Sequence, residues 1–319
     1  SVLKSAFEGK LTEEWRRTHS DDLEPALKLV ERIKEERQKK WEEGLKAKGK
    51  DPRKYRYEEL ESPDIMHLPF LPEGWVWTNL DALIIGARYG TSQKCTTKAI
   101  GVPVLRIPNI VKGILNLEDL KYSKFTKDEI QRLRVQSGDL LVIRTNGSRD
   151  IVGRAAIASS LEGVFLFASY LIRLRPVIAE FLPAYLNLIL ASPLGRKTIE
   201  ENTRSTAGQY NVNLQMLRSI MVPLPPFEEM KQIIARIEEQ FDYIRQAEQA
   251  VEIASSRAEI LKQSILAKTF RGELVPQDPN DEPASVLLER IKSFRAQMAQ
   301  DQNARRGRKR KDSKQQRLN

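Results

Sequence analysis

The chain has 319 residues, 40% of them hydrophobic and 30% charged, enough to bury a sizeable core and too apolar for a wholly disordered polymer. No apolar run approaches the ~20 residues that span a bilayer, and the first residues lack a signal-peptide apolar stretch, so a cytoplasmic location is expected. One cysteine, Cys95, excludes an intrachain disulfide, and with only His19 and His67 beside it no Cys/His zinc cluster is expected. The net charge of +10 is unevenly placed: residues 70–226 hold 19 basic and 12 acidic side chains, and residues 301–319 hold 8 and 2. Such an excess suits a surface that neutralises phosphates, and equally a solubilising one.

In chain order, a helix ending near Gly9 is followed by a polar stretch and a second amphipathic helix over about 24–43, with Pro25 in its first turn. These make a helical region, 1–45, followed by a lysine-rich linker, 46–69. From 70 to 226 the texture changes to short apolar runs punctuated by Gly and Pro. Val104–Ile107, Leu140–Ile143, Ala155–Ala158, Val164–Phe167 and Leu171–Leu174 predict strands, and 181–191 and 193–202 predict helices. From Phe227 the period becomes helical. Met230, Ile234, Ile237, Phe241 and Ile244 step by four and three, as do Ala247, Val251, Ala254, Ala258, Leu261 and Ile265, a narrow seam suited to a partner helix. The region 227–300 closes with a further helix over 282–299. The run Arg305-Arg306-Gly307-Arg308-Lys309-Arg310-Lys311 marks 301–319 as a basic tail expected to be unstructured.

An internal repeat brackets the middle domain. Phe7-Glu8-Gly9-Lys10-Leu11 matches Phe270-Arg271-Gly272-Glu273-Leu274, and Glu24-Pro25-Ala26 with Glu31-Arg32-Ile33-Lys34 matches Glu282-Pro283-Ala284 with Glu289-Arg290-Ile291-Lys292. The offset falls from 263 to 258 between the blocks, so the intervening loop varies in length.

Catalytic patterns fail on inspection. Gly44 to Lys50 fits the start of a phosphate-binding loop, but Asp51 stands where a Ser or Thr must meet magnesium. Leu224-Pro225-Pro226-Phe227 lacks the amide or carboxylate that would hold an amine for methylation. Asp64 and Asp119 lie too far apart in sequence for a nuclease carboxylate motif. No catalytic residue is assigned.

Three loops in the middle domain carry side chains suited to phosphates and base edges. The first offers Arg88, Tyr89, Gln93 and Lys94. The second, directly after a predicted strand, offers Arg144, Asn146, Ser148 and Arg149. The third offers Arg204, Ser205, Gln209, Tyr210 and Asn211.

Together these segments resemble the specificity subunits of type I restriction-modification systems. Leu71-Pro72-Glu73-Gly74-Trp75 resembles the start of their target-recognition domains, and Ser137-Gly138-Asp139-Leu140-Leu141-Val142 a strand within them. Asn211-Val212-Asn213-Leu214 with Ile220-Met221-Val222-Pro223-Leu224-Pro225-Pro226 resembles the domain exit, and Glu228-Glu229-Met230-Lys231-Gln232-Ile233-Ile234 the start of a conserved helix. The Phe-x-Gly-x-Leu copies and Asp278 to Ala284 resemble conserved helical regions. The resemblance implies an α+β recognition domain with a twisted mixed sheet, flanked by long conserved helices forming a coiled-coil arm. It implies a non-catalytic reader of double-stranded DNA, working with modification subunits that use S-adenosylmethionine and restriction subunits that use ATP and Mg. With one recognition domain and one long helix, the chain is expected to be a half-subunit or a C-terminal half, pairing with a second copy through Met230, Ile234, Ile237, Phe241, Ile244, Val251, Leu261 and Ile265. Two other readings are open: the recognition end of a fused restriction-methyltransferase, and a coiled-coil adaptor that binds no DNA.

Overall fold

The computed structural model describes residues 1–60, 63–159, 161–206, 208–276 and 278–315, with side chains left undescribed at 22, 202, 204–206 and 301–315. Two compact units emerge, residues 1–244 and 245–319.

The first unit begins with helices α1 (Val2–Phe7), α2 (Glu13–Thr18) and α3 (Ala26–Lys46). Strands β1 (Val76–Asn79), β2 (Ile84–Tyr89), β3 (Val102–Leu105), β4 (Ile110–Val111), β5 (Ile114–Leu115) and β6 (Lys121–Ser123) follow, then α4 (Lys127–Leu133). After α4 come β7 (Leu140–Ile143), β8 (Thr145–Asn146), β9 (Ala155–Ile157), β10 (Leu166–Phe167) and β11 (Leu171–Pro176). The unit continues through α5 (Leu182–Ala191), α6 (Pro193–Asn202), β12 (Arg204–Thr206), β13 (Gln209–Asn211), α7 (Leu214–Arg218) and β14 (Met221–Leu224). Helix α8 (Phe227–Phe270) runs out of it, and α9 (Ala284–Gln315) lies in the second unit. The α+β class and mixed sheet are as expected. The phosphate-loop look-alike at 44–50 begins inside α3, so it is not a strand-to-helix loop.

The main sheet has the order β2-β11-β7-β9-β5-β4, antiparallel except for the parallel β5–β9 pair. Smaller sheets are β10-β3-β6, β12-β13-β8 and β1-β14. The central strand β7 is covered on both faces. Leu140 and Val142 enter one core, with α1, α3 and α5, while Leu141 and Ile143 enter a second, with Leu133, Phe165 and Phe167. Burial on both faces is why this strand reads as a continuous apolar run.

The N-terminal helices belong to the first unit's core. Ala6, Phe7, Ala26, Leu29 and Ile33 are buried, and α8 contributes Met230, Ile233, Ile234 and Ile237 beside them. A buried clasp joins the three segments. Glu229, fully buried, accepts hydrogen bonds from Thr12 Oγ1 at 2.7 Å, Arg16 Nη1 at 2.6 Å and Trp75 Nε1 at 2.8 Å. Gly9, at φ +70°, lies against Pro72, where a Cβ would stand 2.3 Å from the proline ring, so glycine is needed for space as well as for backbone.

The two repeat copies fold alike locally. Gly9 N–H donates to Ala6 C=O and Lys10 N–H to Ser5 C=O; Gly272 N–H donates to Thr269 C=O and Glu273 N–H to Lys268 C=O. Glu24 pairs with Arg32, and Glu282 with Arg290. Their surroundings differ: Phe7 is 5% exposed, whereas its counterpart Phe270 is 88% exposed.

Two expectations need correction. Residues 301–315 of the stretch read as an unstructured basic tail continue α9, and 316–319 lie outside the described residues. The seam read as a partner-helix surface from Met230 onward is already used by the chain's own core at Met230, Ile234 and Ile237, and Phe241 packs against the same core. Of the eight residues expected to pair, Ile244, Val251, Leu261 and Ile265 are exposed. A periodic stripe shows that a helix face is covered and is silent about what covers it.

Candidate nucleic-acid interface

At one end of the main sheet β2 and β7 finish and β11 begins, and two of the three expected loops converge there with the first residues of the other. Arg144, just past β7, donates its backbone N–H to Tyr170 C=O at 2.8 Å and accepts from Val212 N–H at 2.9 Å. These bonds hold the strand end between the turn before β11 and the segment after β13. The Arg144 guanidinium lies 4.5 Å over the ring of Tyr89, the last residue of β2, and Nη1 donates to Ser169 C=O at 3.4 Å. Tyr89 Oη accepts from Leu214 N–H at 3.3 Å. The Arg144 charge is thus held over the Tyr89 ring, and no carboxylate among the described residues pairs with it.

The three-stranded sheet β12-β13-β8 sits beside this pair, with Asn146 opposite Tyr210 and Thr145 opposite Asn211. Asn146 Oδ1 accepts from Ser148 N–H at 2.9 Å, closing a local turn that presents Gly147 and Ser148. Gln209 is exposed, and its Oε1 lies 3.4 Å from Thr145 Oγ1. Arg204 and Ser205 lie in β12 by their backbone, paired with Asn211 and Tyr210; their side chains fall outside the described residues.

Other expected residues go elsewhere. Arg149 donates to Glu200 C=O near the end of α6, and Arg196 Nη2 returns a bond to Arg149 C=O at 3.0 Å, so Arg149 satisfies a helix-terminal carbonyl. Ser148 Oγ binds Asp150, holding that carboxyl below the ordinary range. Gln93 Nε2 donates to Ser123 Oγ at 3.0 Å and Lys124 C=O at 2.8 Å, placing Gln93 and Lys94 against β6. Arg88 stands opposite Arg173 in the β2–β11 ladder, on the other face of the strand from Tyr89. Cys95, beside Gln93, has its thiol pushed up by burial, with Arg106 and Lys121 opposing.

Sequence reasoning missed Tyr170, 58% exposed at the turn whose carbonyl holds Arg144. Its signal was an aromatic after two small residues, Ala168 and Ser169, between apolar runs. It also missed Arg173 and Arg175, which look like strand residues in the run from Leu171 to Pro176. Arg173 is 8% exposed and held to about 10, by burial first and then by Arg175 and Arg88, with Asp139 opposing. Among the described residues no group of His, Cys, Asp and Glu side chains could hold a metal ion, and no helix is long and apolar enough to cross a membrane.

An α+β domain that gathers aromatic, amide and unpaired cationic side chains at one sheet end defines a class of surface-recognition module, with no catalytic constellation within that cluster. The sequence places it more narrowly: residues 72–253 match the family described as type I restriction modification DNA specificity domain, and the chain belongs to that family. It is similar to the type I restriction enzyme EcoKI specificity subunit of Escherichia coli (strain K12), 34% identical over 227 residues, covering 68% of this chain and 49% of that protein. It is also similar to the StySPI specificity subunit of Salmonella potsdam, 32% identical over 231 residues, covering 70% and 50%. The chain spans about half the length of these relatives. A solved structure described as "Structural basis underlying complex assembly and conformational transition of the type I R-M system" shares the fold, with a TM-score of 0.52 at 21% identity, over 82% of this chain and 60% of that one.

Proposed function

We propose that the chain is a sequence-reading subunit for double-stranded DNA that directs methylation and restriction by partner subunits in the cytoplasm and performs neither reaction itself. The observation that carries this reading is the Arg144 guanidinium held over the Tyr89 ring, with Asn146 and Tyr210 alongside. An arginine held over an aromatic ring, with no carboxylate partner among the described residues, suits two-point bonding to a guanine edge, and amides suit adenine. S-adenosylmethionine chemistry would belong to the modification partners, and ATP and Mg to the restriction partners. The family match favours this reading over a coiled-coil adaptor without a DNA role.

The test is enrichment of a preferred duplex from a randomised pool, followed by titration of that duplex and a scrambled one. Arg144→Ala should weaken the preferred complex by about 1–3 kcal/mol and relax preference at one position. Equal binding of both duplexes by the unmutated chain would refute sequence reading.

For assembly we propose pairing of α8 with the same helix of a second copy, in antiparallel order, through Ile244, Val251, Leu261 and Ile265 rather than the whole stripe. All four are exposed on a helix whose earlier apolar turns are committed to the core. Such a dimer would read a symmetric interrupted site.

A further inference from the structure

The second face of the main sheet carries an unbalanced cluster of arginines. Arg88 and Arg173 are direct partners across the antiparallel β2–β11 ladder, so their side chains leave the same face. Arg175, two residues along β11, shares it. One carboxylate, Asp139, lies within ion-pair reach of Arg173 and Arg175, and none among the described residues reaches Arg88. Asp139, buried, binds Arg175 by two bonds of 2.7 Å and also accepts from Gln136 N–H at 2.7 Å. With three donors already on it, Asp139 reaches Arg173 Nε only at 3.9 Å, and the Arg173 guanidinium lies 5.6 Å over the Phe167 ring.

Arg173 places Nη1 on Arg134 C=O at 2.6 Å, but its buried Nε has no hydrogen-bond partner among the described residues. Arg88, exposed, has no ion pair among them either. Like charges directly opposite in a ladder repel, and a buried donor without an acceptor is costly. An anion at the exposed Arg88, beside the positive charge of Arg173, would relieve the like-charge repulsion across the ladder.

We propose that Arg88 and Arg173, braced by the Arg175–Asp139 pair, form a binding site for a phosphate group. Resting on the function proposed above, its source is a backbone phosphodiester of duplex DNA, held on the sheet face while the Arg144 cluster meets bases. A free phosphate compound has the same chemistry, and the experiment separates the two.

Inorganic phosphate is titrated into the full chain and melting is followed, with sodium chloride at equal ionic strength as control. The unmutated chain should melt about 3–6 °C higher at a tenfold excess over the titrated Kd, and Arg88→Gln should lose that rise. No rise above the chloride control, or a rise that Arg88→Gln keeps, overturns the site. In the second arm, the salt dependence of duplex binding is compared for the same two proteins. A slope of log K against log salt shallower by about 0.9 in Arg88→Gln supports the backbone phosphodiester. An unchanged slope, with the phosphate response lost, overturns DNA as the source and assigns the site to a free phosphate compound. The phosphate arm contains no DNA, so it decides the site even for a chain that binds no duplex.

Discussion

Replacing Glu229 by alanine should unfold the first unit more readily than any surface change, and the size of the effect follows from what the carboxylate holds. Its oxygens accept from Thr12, Arg16 and Trp75, with Glu229 and Thr12 at 0% exposure and Trp75 at 6%. Without the carboxylate, the Thr12 hydroxyl and Trp75 N–H become buried donors with no acceptor, each costing about 1–3 kcal/mol. The Arg16 side chain, 16% exposed, keeps its bond to Gly9 C=O and recovers some hydration, so its share is the smaller one. The total should be about 3–5 kcal/mol, the range for breaking a buried pair from one side. For a unit of this size that lowers the melting temperature by roughly 6–20 °C. Glu229→Gln keeps one acceptor but turns an NH2 group toward Trp75 or Arg16, both donors, and should fall between the two. Urea unfolding followed by tryptophan fluorescence measures both variants. A loss under about 1 kcal/mol for Glu229→Ala would show that the N-terminal helices, Trp75 and α8 are not joined through this residue.

Arg149→Ala should lower stability by no more than about 1 kcal/mol and leave duplex preference unchanged, because its guanidinium serves the Glu200 carbonyl; a lost base preference would return it to the interface. Leu261→Asp should dissociate a homodimer in light scattering and make the unfolding midpoint independent of protein concentration, whereas Ile237→Asp, buried in the core, should abolish cooperative unfolding of the first unit. Cys95 should react with a disulfide reagent at pH 8 more slowly than a free cysteine, because burial raises its thiol and thins the thiolate. Alkaline conditions then ionise it in the unfolded chain before the folded one. Its contribution to stability is complete below the unfolded pKa and declines as pH rises toward the folded one, checked by unfolding midpoints of wild type and Cys95→Ser across pH 7–10.

Long-period features were legible in the sequence. The helices α3 and α8, the strand Leu140–Ile143 and the glycine stops at Gly9 and Gly272 each carry a local signal of period, run or punctuation. Strands of two residues, such as Ile114–Leu115 and Thr145–Asn146, do not, because they are shorter than one repeat of any usable pattern and are fixed by pairing with Ala155–Ile157 and Gln209–Asn211, more than forty residues on. Arg144 was visible as a cation after a strand, but its placement over Tyr89, 55 positions earlier, depends on β11 lying between β2 and β7, which no local pattern encodes. Arg173 was hidden for a related reason. In a strand covered on both faces, an apolar run with an arginine in it looks like an edge, and only the register opposite Arg88 shows that the charge lies inside the sheet face.

The repeat carries the argument one step further, because one sequence element has two fates within a single chain. Both copies close with the same glycine stop and the same Glu–Arg pair, so their local structure does not depend on their surroundings. Burial does. Leu29 and Ile33 are 3% and 2% exposed in the first unit's core, while their counterparts Leu287 and Ile291 are 53% and 41% exposed. An amphipathic helix of this kind draws most of its stability from covering its apolar face rather than from propensity. The second copy is therefore the less stable of the two in the isolated chain. Amide exchange should show protection across Ala26–Ile33 approaching that of β7, and far weaker protection across Ala284–Ile291. Equal protection in the two copies of the isolated, monomeric chain would mean that local helix formation, not burial, holds both.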